Sequence, residues 1–122
     1  MLTPSRGGRR VFAYQHPCDM RKQYDSLAAL VTDAIGRDVL TGDLFLFVGR
    51  RRTRAKVLYF DGTGMCVFQK RLARGHFAAP WLGQDELTES ELQLLLEGSE
   101  MVGRVALSPR VVTCTEREVV FR

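Results

Sequence analysis

The apolar positions of the chain fall into blocks of two different periods. Val11, Phe12, Ala13 and Tyr14 make a short run stopped by Pro17, which predicts a strand. Met20, Tyr24, Leu27, Val31 and Ile35 then recur at helical spacing, with Asp19 placed as N-cap and Gly36 as C-cap. This predicts a long helix over 19–35 with Arg21, Lys22, Asp25 and Thr32 on its polar side. LFLFV at 44–48 is unbroken, as in a strand covered on both faces, while RAKVLYF at 54–60 and MCVFQKR at 65–71 flank the tight-turn signal Asp61-Gly62-Thr63-Gly64.

Closing that turn with Asp61 opposite Gly64 sets the pairing: Phe60 with Met65, Leu58 with Val67, Lys56 with Gln69, Arg54 with Arg71. These four pairs share one face, apolar near the turn and basic at the open end. The other face carries Ala55, Val57, Tyr59, Cys66 and Phe68, and is assigned to the core beneath the long helix. Thr88 and Glu91 form a capping box, with Leu87 and Leu92 as its hydrophobic staple, so a short second helix is expected over 88–97. Its stripe of Leu92, Leu95 and Leu96 could cover Leu58, Phe60, Met65 and Val67. RVAL, RVVTC and VVF in the tail allow a late hairpin or an added strand. The expected fold is α+β: a mostly antiparallel sheet, with a meander around 44–71, the 19–35 helix packed on one face and the short 88–97 helix. The expected organisation is a flexible basic arm over 1–10, a single domain over 11–98 and a β-rich extension over 99–122.

Length and composition narrow the function. A chain of 122 residues, 45% hydrophobic and 26% charged, suits one modest core. No apolar run approaches the roughly 20 residues of a membrane helix, and no apolar segment follows the basic N-terminus as in a secretory signal. Three well-separated cysteines, Cys18, Cys66 and Cys114, point to free thiols in a reducing cytoplasm, without a disulfide or a metal site.

Charge is unevenly divided. Residues 1–84 hold 14 Lys+Arg against 6 Asp, whereas residues 85–122 hold 4 Arg against 8 Asp+Glu. The hairpin register gathers Arg50, Arg51, Arg52, Arg54, Lys56, Lys70, Arg71 and Arg74 into a basic rim at the open end. Such a rim suits phosphate binding, although arginine-rich hairpin ends also serve simply to keep a sheet edge soluble. The acidic last third would face a protein partner.

Catalytic patterns are missing. No GxxxxGK occurs and no GxGxxG follows a strand, so nucleotide cradling has no support. His16 and His76 lack an acid or cysteine at ligand spacing. Asp19, Asp25 and Asp61 are the carboxylates of the basic portion that a metal-dependent nuclease would need, but a cap, a helix surface and a turn account for them. A non-enzymatic protein without cofactor or metal is expected.

PCDMRKQYDSLAALV, followed by GDLFLFVGRRRTRAKVLYFDGTGMCVFQKRLARGHF and the LTESELQLLLEG helix, resembles the small TnpB-type accessory protein of insertion sequence family 66. The resemblance spans about residues 11–98. Its motif falls on Asp19, Met20, Arg21, Lys22, Asp25 and Leu27, then on Arg50, Arg51, Arg54, Lys56, Leu58, Asp61, Gly64, Lys70, Arg71, Leu72 and Gly75. Where that family commonly has Trp-Pro, this chain has Ala79-Pro80-Trp81. The resemblance implies a bacterial, cytoplasmic transposition accessory protein, nucleoid-associated when bound to DNA. It implies as partners a transposase and a small helix-turn-helix protein, while the basic rim itself suggests DNA phosphates near the element ends as a further partner. A protein adapter docking through the apolar hairpin face, without DNA contact, is the alternative.

Overall fold

A computed structural model describes residues 9–98 and the backbone of 101–102 and 105–106. Its centre is a five-stranded sheet of β1 (Val11–Ala13), β2 (Leu44–Val48), β3 (Arg54–Phe60), β4 (Met65–Arg71) and β5 (Glu86–Leu87). The spatial order is β4-β3-β2-β1-β5. Only the β1–β2 pair is parallel, with Val11 opposite Leu44; the other three pairs are antiparallel. The class is therefore α+β, and the meander over 44–71 is present.

The β3–β4 register is the one the turn dictates, from Phe60↔Met65 to Arg54↔Arg71. Asp61 fixes it: its Oδ1 accepts hydrogen bonds from the Thr63 and Gly64 amides and the Thr63 hydroxyl, each at 2.9 Å. Gly62 supplies the positive φ that this turn requires.

The long helix is shorter and less regular than its periodicity suggests. Helix α1 covers Tyr24–Leu30 with Gln23 as N-cap, and its last residues, Val31–Ile35, continue as a π-helical turn closed by left-handed Gly36. Residues before it remain tied to the sheet. The Cys18 amide donates to the Val48 carbonyl, and Cys18 forms a parallel bridge with Gly49. Asp19 caps no helix; its carboxylate takes the Arg21 amide and guanidinium at 2.9–3.0 Å. Tyr24, expected on the buried face, is 48% exposed.

Helix α2 (Glu89–Leu96) matches its sequence signals closely. Thr88 Oγ1 accepts from the Glu91 amide at 3.1 Å, while the Glu91 carboxylate accepts from the Thr88 amide at 2.8 Å. Leu87, Leu92, Leu95 and Leu96 are all buried. Beyond α2, Met101–Val102 and Val105–Ala106 pair antiparallel as β6 and β7. RVVTC, VVF and Cys114 lie outside the described residues.

The two helices take the opposite faces from those expected. Leu27 of α1 and Val31 of the π-helical turn after it pack on Phe12, Phe45, Phe47 and Leu58, with Met65 and Val67 at the margin. Leu92, Leu95 and Leu96 of α2 pack on Val11, Leu44, Leu46, Ala55 and Val57, flanked by Tyr59 and Phe68. Strand alternation sorts side chains into two sets, but both sets here are apolar enough to form a core, so a hairpin alone cannot say which helix covers which. The apolar hairpin face proposed as an adapter surface is thus the seat of α1. Cys66, on the face assigned to the core, is half-buried, whereas Cys18 is buried at 5% exposure, and desolvation raises the pKa of both thiols.

Candidate nucleic-acid interface

The open end of the β3–β4 hairpin meets two other parts of the chain. The loop after β2 turns through a hydrogen bond from the Arg52 amide to the Gly49 carbonyl, with Arg52 in the left-handed region at φ 58°. Phe77 holds that residue from outside: its amide donates to the Arg52 carbonyl, and Arg52 Nη1 donates to the Phe77 carbonyl at 3.2 Å. Met20 seats against Gly49, with its Cγ only 2.8 Å from where a Cβ would lie. The segment carrying Asp19, Met20, Arg21 and Lys22 is thereby held beside the arginine loop.

Between the Met20 segment and the open end of the β3–β4 hairpin lies a groove of about 370 Å³, lined by Met20, Gln23, Arg54, Lys56, Gln69 and Arg71 among others. Arg54 and Arg71 face each other directly across the strands. The Leu72 amide donates to the Thr53 carbonyl, so the neighbouring 54/71 pair is of the non-hydrogen-bonded kind, in which side chains approach most closely. Two like charges so placed repel unless an anion sits between them.

The eight basic residues divide by their partners. Lys56 is only 3% exposed, and its ammonium donates to the Lys22 carbonyl at 2.6 Å. Lys70 points to the other face, where its ammonium donates to the Leu96 carbonyl at the end of α2 at 2.8 Å. Arg52 is engaged by Phe77. Arg50, Arg51, Arg54, Arg71 and Arg74 are exposed, and no carboxylate pairs with them among the described residues.

Acidic groups lie elsewhere or are engaged. Hydrogen bonds from Arg21 hold the Asp19 carboxyl far below its usual range. Asp25 is exposed in the first turn of α1, and Asp61 belongs to the turn at the far end of the hairpin. The three do not form a cluster, and no group of three or more His, Cys, Asp or Glu able to hold a metal occurs among the described residues. Glu86 and Glu89, from the acidic last third, pair with Arg10 at 3.0 Å and Arg9 at 3.1 Å. His16 and His76 are exposed, and His16 stacks edge-on with Tyr14. A smaller hollow of about 220 Å³ lies beside Phe12, but Arg10 and Arg37 there are stacked on the Phe12 ring. The site that sequence reasoning missed is the groove wall formed by Met20 and Gln23. Its signal was Gly49, whose missing side chain admits Met20.

Fold and groove together define a small α+β protein that presents exposed arginines from one end of its sheet. The chain belongs to the IS66 Orf2-like family, TnpB of IS66, whose model matches residues 9–105. It is 38% identical over 100 residues to y4jC of Sinorhizobium fredii (strain NBRC 101917 / NGR234), covering 80% of this chain and 85% of that protein. It is 37% identical over 99 residues to y4hO of the same organism, covering 80% and 86%. Both relatives carry the description "uncharacterized protein". No solved structure matches the chain. The family carries an accessory role in insertion-sequence transposition and thus involvement with the transposase machinery. No helix among the described residues is long and apolar enough to cross a membrane.

Proposed function

We propose that this protein is a non-enzymatic transposition accessory factor that holds DNA phosphates at the arginine-lined end of its sheet. The observation that carries the reading is that Arg54 and Arg71 face each other on one groove, with Arg50, Arg51 and Arg74 just beyond the strand ends, all five exposed and without carboxylate partners among the described residues. Arginine suits this work because its planar fork donates two parallel hydrogen bonds to a phosphate. Phosphate contacts set position without reading sequence, so recognition of the element ends would rest with the transposase or a small helix-turn-helix partner. Such a factor would act in the bacterial cytoplasm and at the nucleoid when DNA-bound.

The test is duplex binding by the Arg54→Ala/Arg71→Ala double variant across a salt series. Both side chains are exposed, so the fold should survive, as circular dichroism can check. Loss of two phosphate contacts should flatten the slope of log K against log salt by about 2. A variant that binds as tightly as the parent, with the same slope, overturns the proposal.

A further inference from the structure

Strand β4 is an edge of the sheet, and its backbone on the outer side has no partner among the described residues. The pairing identifies the outward groups. The Leu72 amide reaches Thr53 and the Asp61 amide reaches Gly64, so Lys70, Phe68 and Cys66 bond inward to β3. Met65, Val67, Gln69 and Arg71 therefore aim their N–H and C=O groups away from the sheet. The apolar side chains along the same edge are also incompletely covered. Met65, Cys66, Val67 and Phe68 are each half-buried, whereas every residue of β2 is buried. A seven-residue edge with no proline, four outward donors and a half-open core on both faces is a template for another strand.

We infer that β4 pairs antiparallel with β4 of a second copy, joining the two sheets into one ten-stranded sheet about a two-fold axis at Phe68. In this register Met65 stands opposite the second copy's Arg71 and Val67 opposite its Gln69, so the four outward residues of each strand bond only to one another. Phe68 meets its own counterpart in a non-hydrogen-bonded pair, the closer of the two kinds. No two like charges fall opposite each other, since Lys70 faces Cys66 and Arg71 faces Met65. Continuing the register, Gly75 comes opposite Asp61, which brings Arg74 beside the second copy's acidic turn. The strand's basic and acidic ends thus lie at opposite ends, which antiparallel self-pairing matches and parallel self-pairing would oppose.

The test uses the full chain, by sedimentation across a concentration series and by amide hydrogen exchange. Expected is a species of twice the 13.8 kDa chain mass, with the Val67 and Gln69 amides slowing by roughly ten-fold or more as it forms. Phe68 and Lys70, bonded within the chain, should be protected throughout. Val67→Pro removes an outward donor without touching the β3 ladder, and should yield a monomer with unchanged circular dichroism. If that variant does not fold, exchange in the parent decides. A chain that stays monomeric up to about 100 µM overturns the inference, as does a dimer whose Val67 and Gln69 amides exchange freely.

Discussion

Gly49 has a sequence neighbourhood that looks like ordinary loop chemistry, GRRRTR, yet its place is set by Met20, twenty-nine residues earlier. Gly49→Ala would put a methyl group 2.8 Å from Met20 Cγ in a buried position. It should cost about 1–3 kcal/mol in chemical denaturation, and clearly less when Met20→Ala is already present. Equal costs in the two backgrounds would mean that Met20 does not press on the loop. Asp61 makes a different kind of statement. Backbone hydrogen bonds from Thr63 and Gly64 lower its pKa to about 2. A carboxyl depressed in the fold stabilises above its unfolded pKa and loses that contribution as pH falls through the folded value. Melting temperature should therefore drop between about pH 4 and pH 2, and less steeply in Asp61→Ala; identical pH profiles would remove the turn carboxylate as a cause.

Among the elements, the hairpin was legible and the helix assignment was not. Alternation and a strong turn determine register through local rules, because sliding by one residue would move every side chain to the other face. Which helix lies on which face depends instead on how the chain returns to β2 and β5, and LFLFV, apolar on both sides, is neutral to that choice. The swap has an energetic consequence at Phe68. Read as the centre of the core under a long helix, it would resemble Phe45; in the structure it is half-buried near the edge, while Phe45 is wholly buried. Phe45→Ala should cost about 3–5 kcal/mol and Phe68→Ala distinctly less, as measured by urea unfolding. Equal losses would place Phe68 deeper than its exposure implies. The truncated first helix has its own cause: Cys18 is bound to the sheet through Val48 and Gly49, and the Asp19 carboxylate is taken up by Arg21 rather than by a helix start.

At the scale of the whole molecule, charge is segregated along and across the sheet. Arg9 and Arg10 are neutralised by Glu89 and Glu86 beside β5, while the arginines beside β4 lack such partners among the described residues. Eight basic residues share the hairpin end, but Arg52, Lys56 and Lys70 donate to backbone carbonyls there. If three to five exposed arginines reach phosphate, log K for duplex DNA should fall with log salt at a slope of about −3 to −4.5. Lys70→Ala should leave that slope unchanged while loosening the end of α2. A slope near −7, or one that Lys70→Ala flattens by about 1, would show that the internal lysines also contact DNA.

The sequence by itself determined what depends on neighbours in the chain: the hairpin register, the Asp61 turn, the α2 capping box, the Gly36 cap and the clustering of basic residues near one hairpin end. Each follows from period, turn chemistry or capping within a few residues, where the backbone leaves few alternatives. Only the tertiary structure decided the parallel β1–β2 pair, the faces taken by α1 and α2, the seating of Met20 on Gly49 and which basic residues donate to backbone carbonyls. Those outcomes depend on contacts between segments far apart in the chain. There a lysine's role is set not by its neighbours in sequence but by which carbonyl the packing brings within reach.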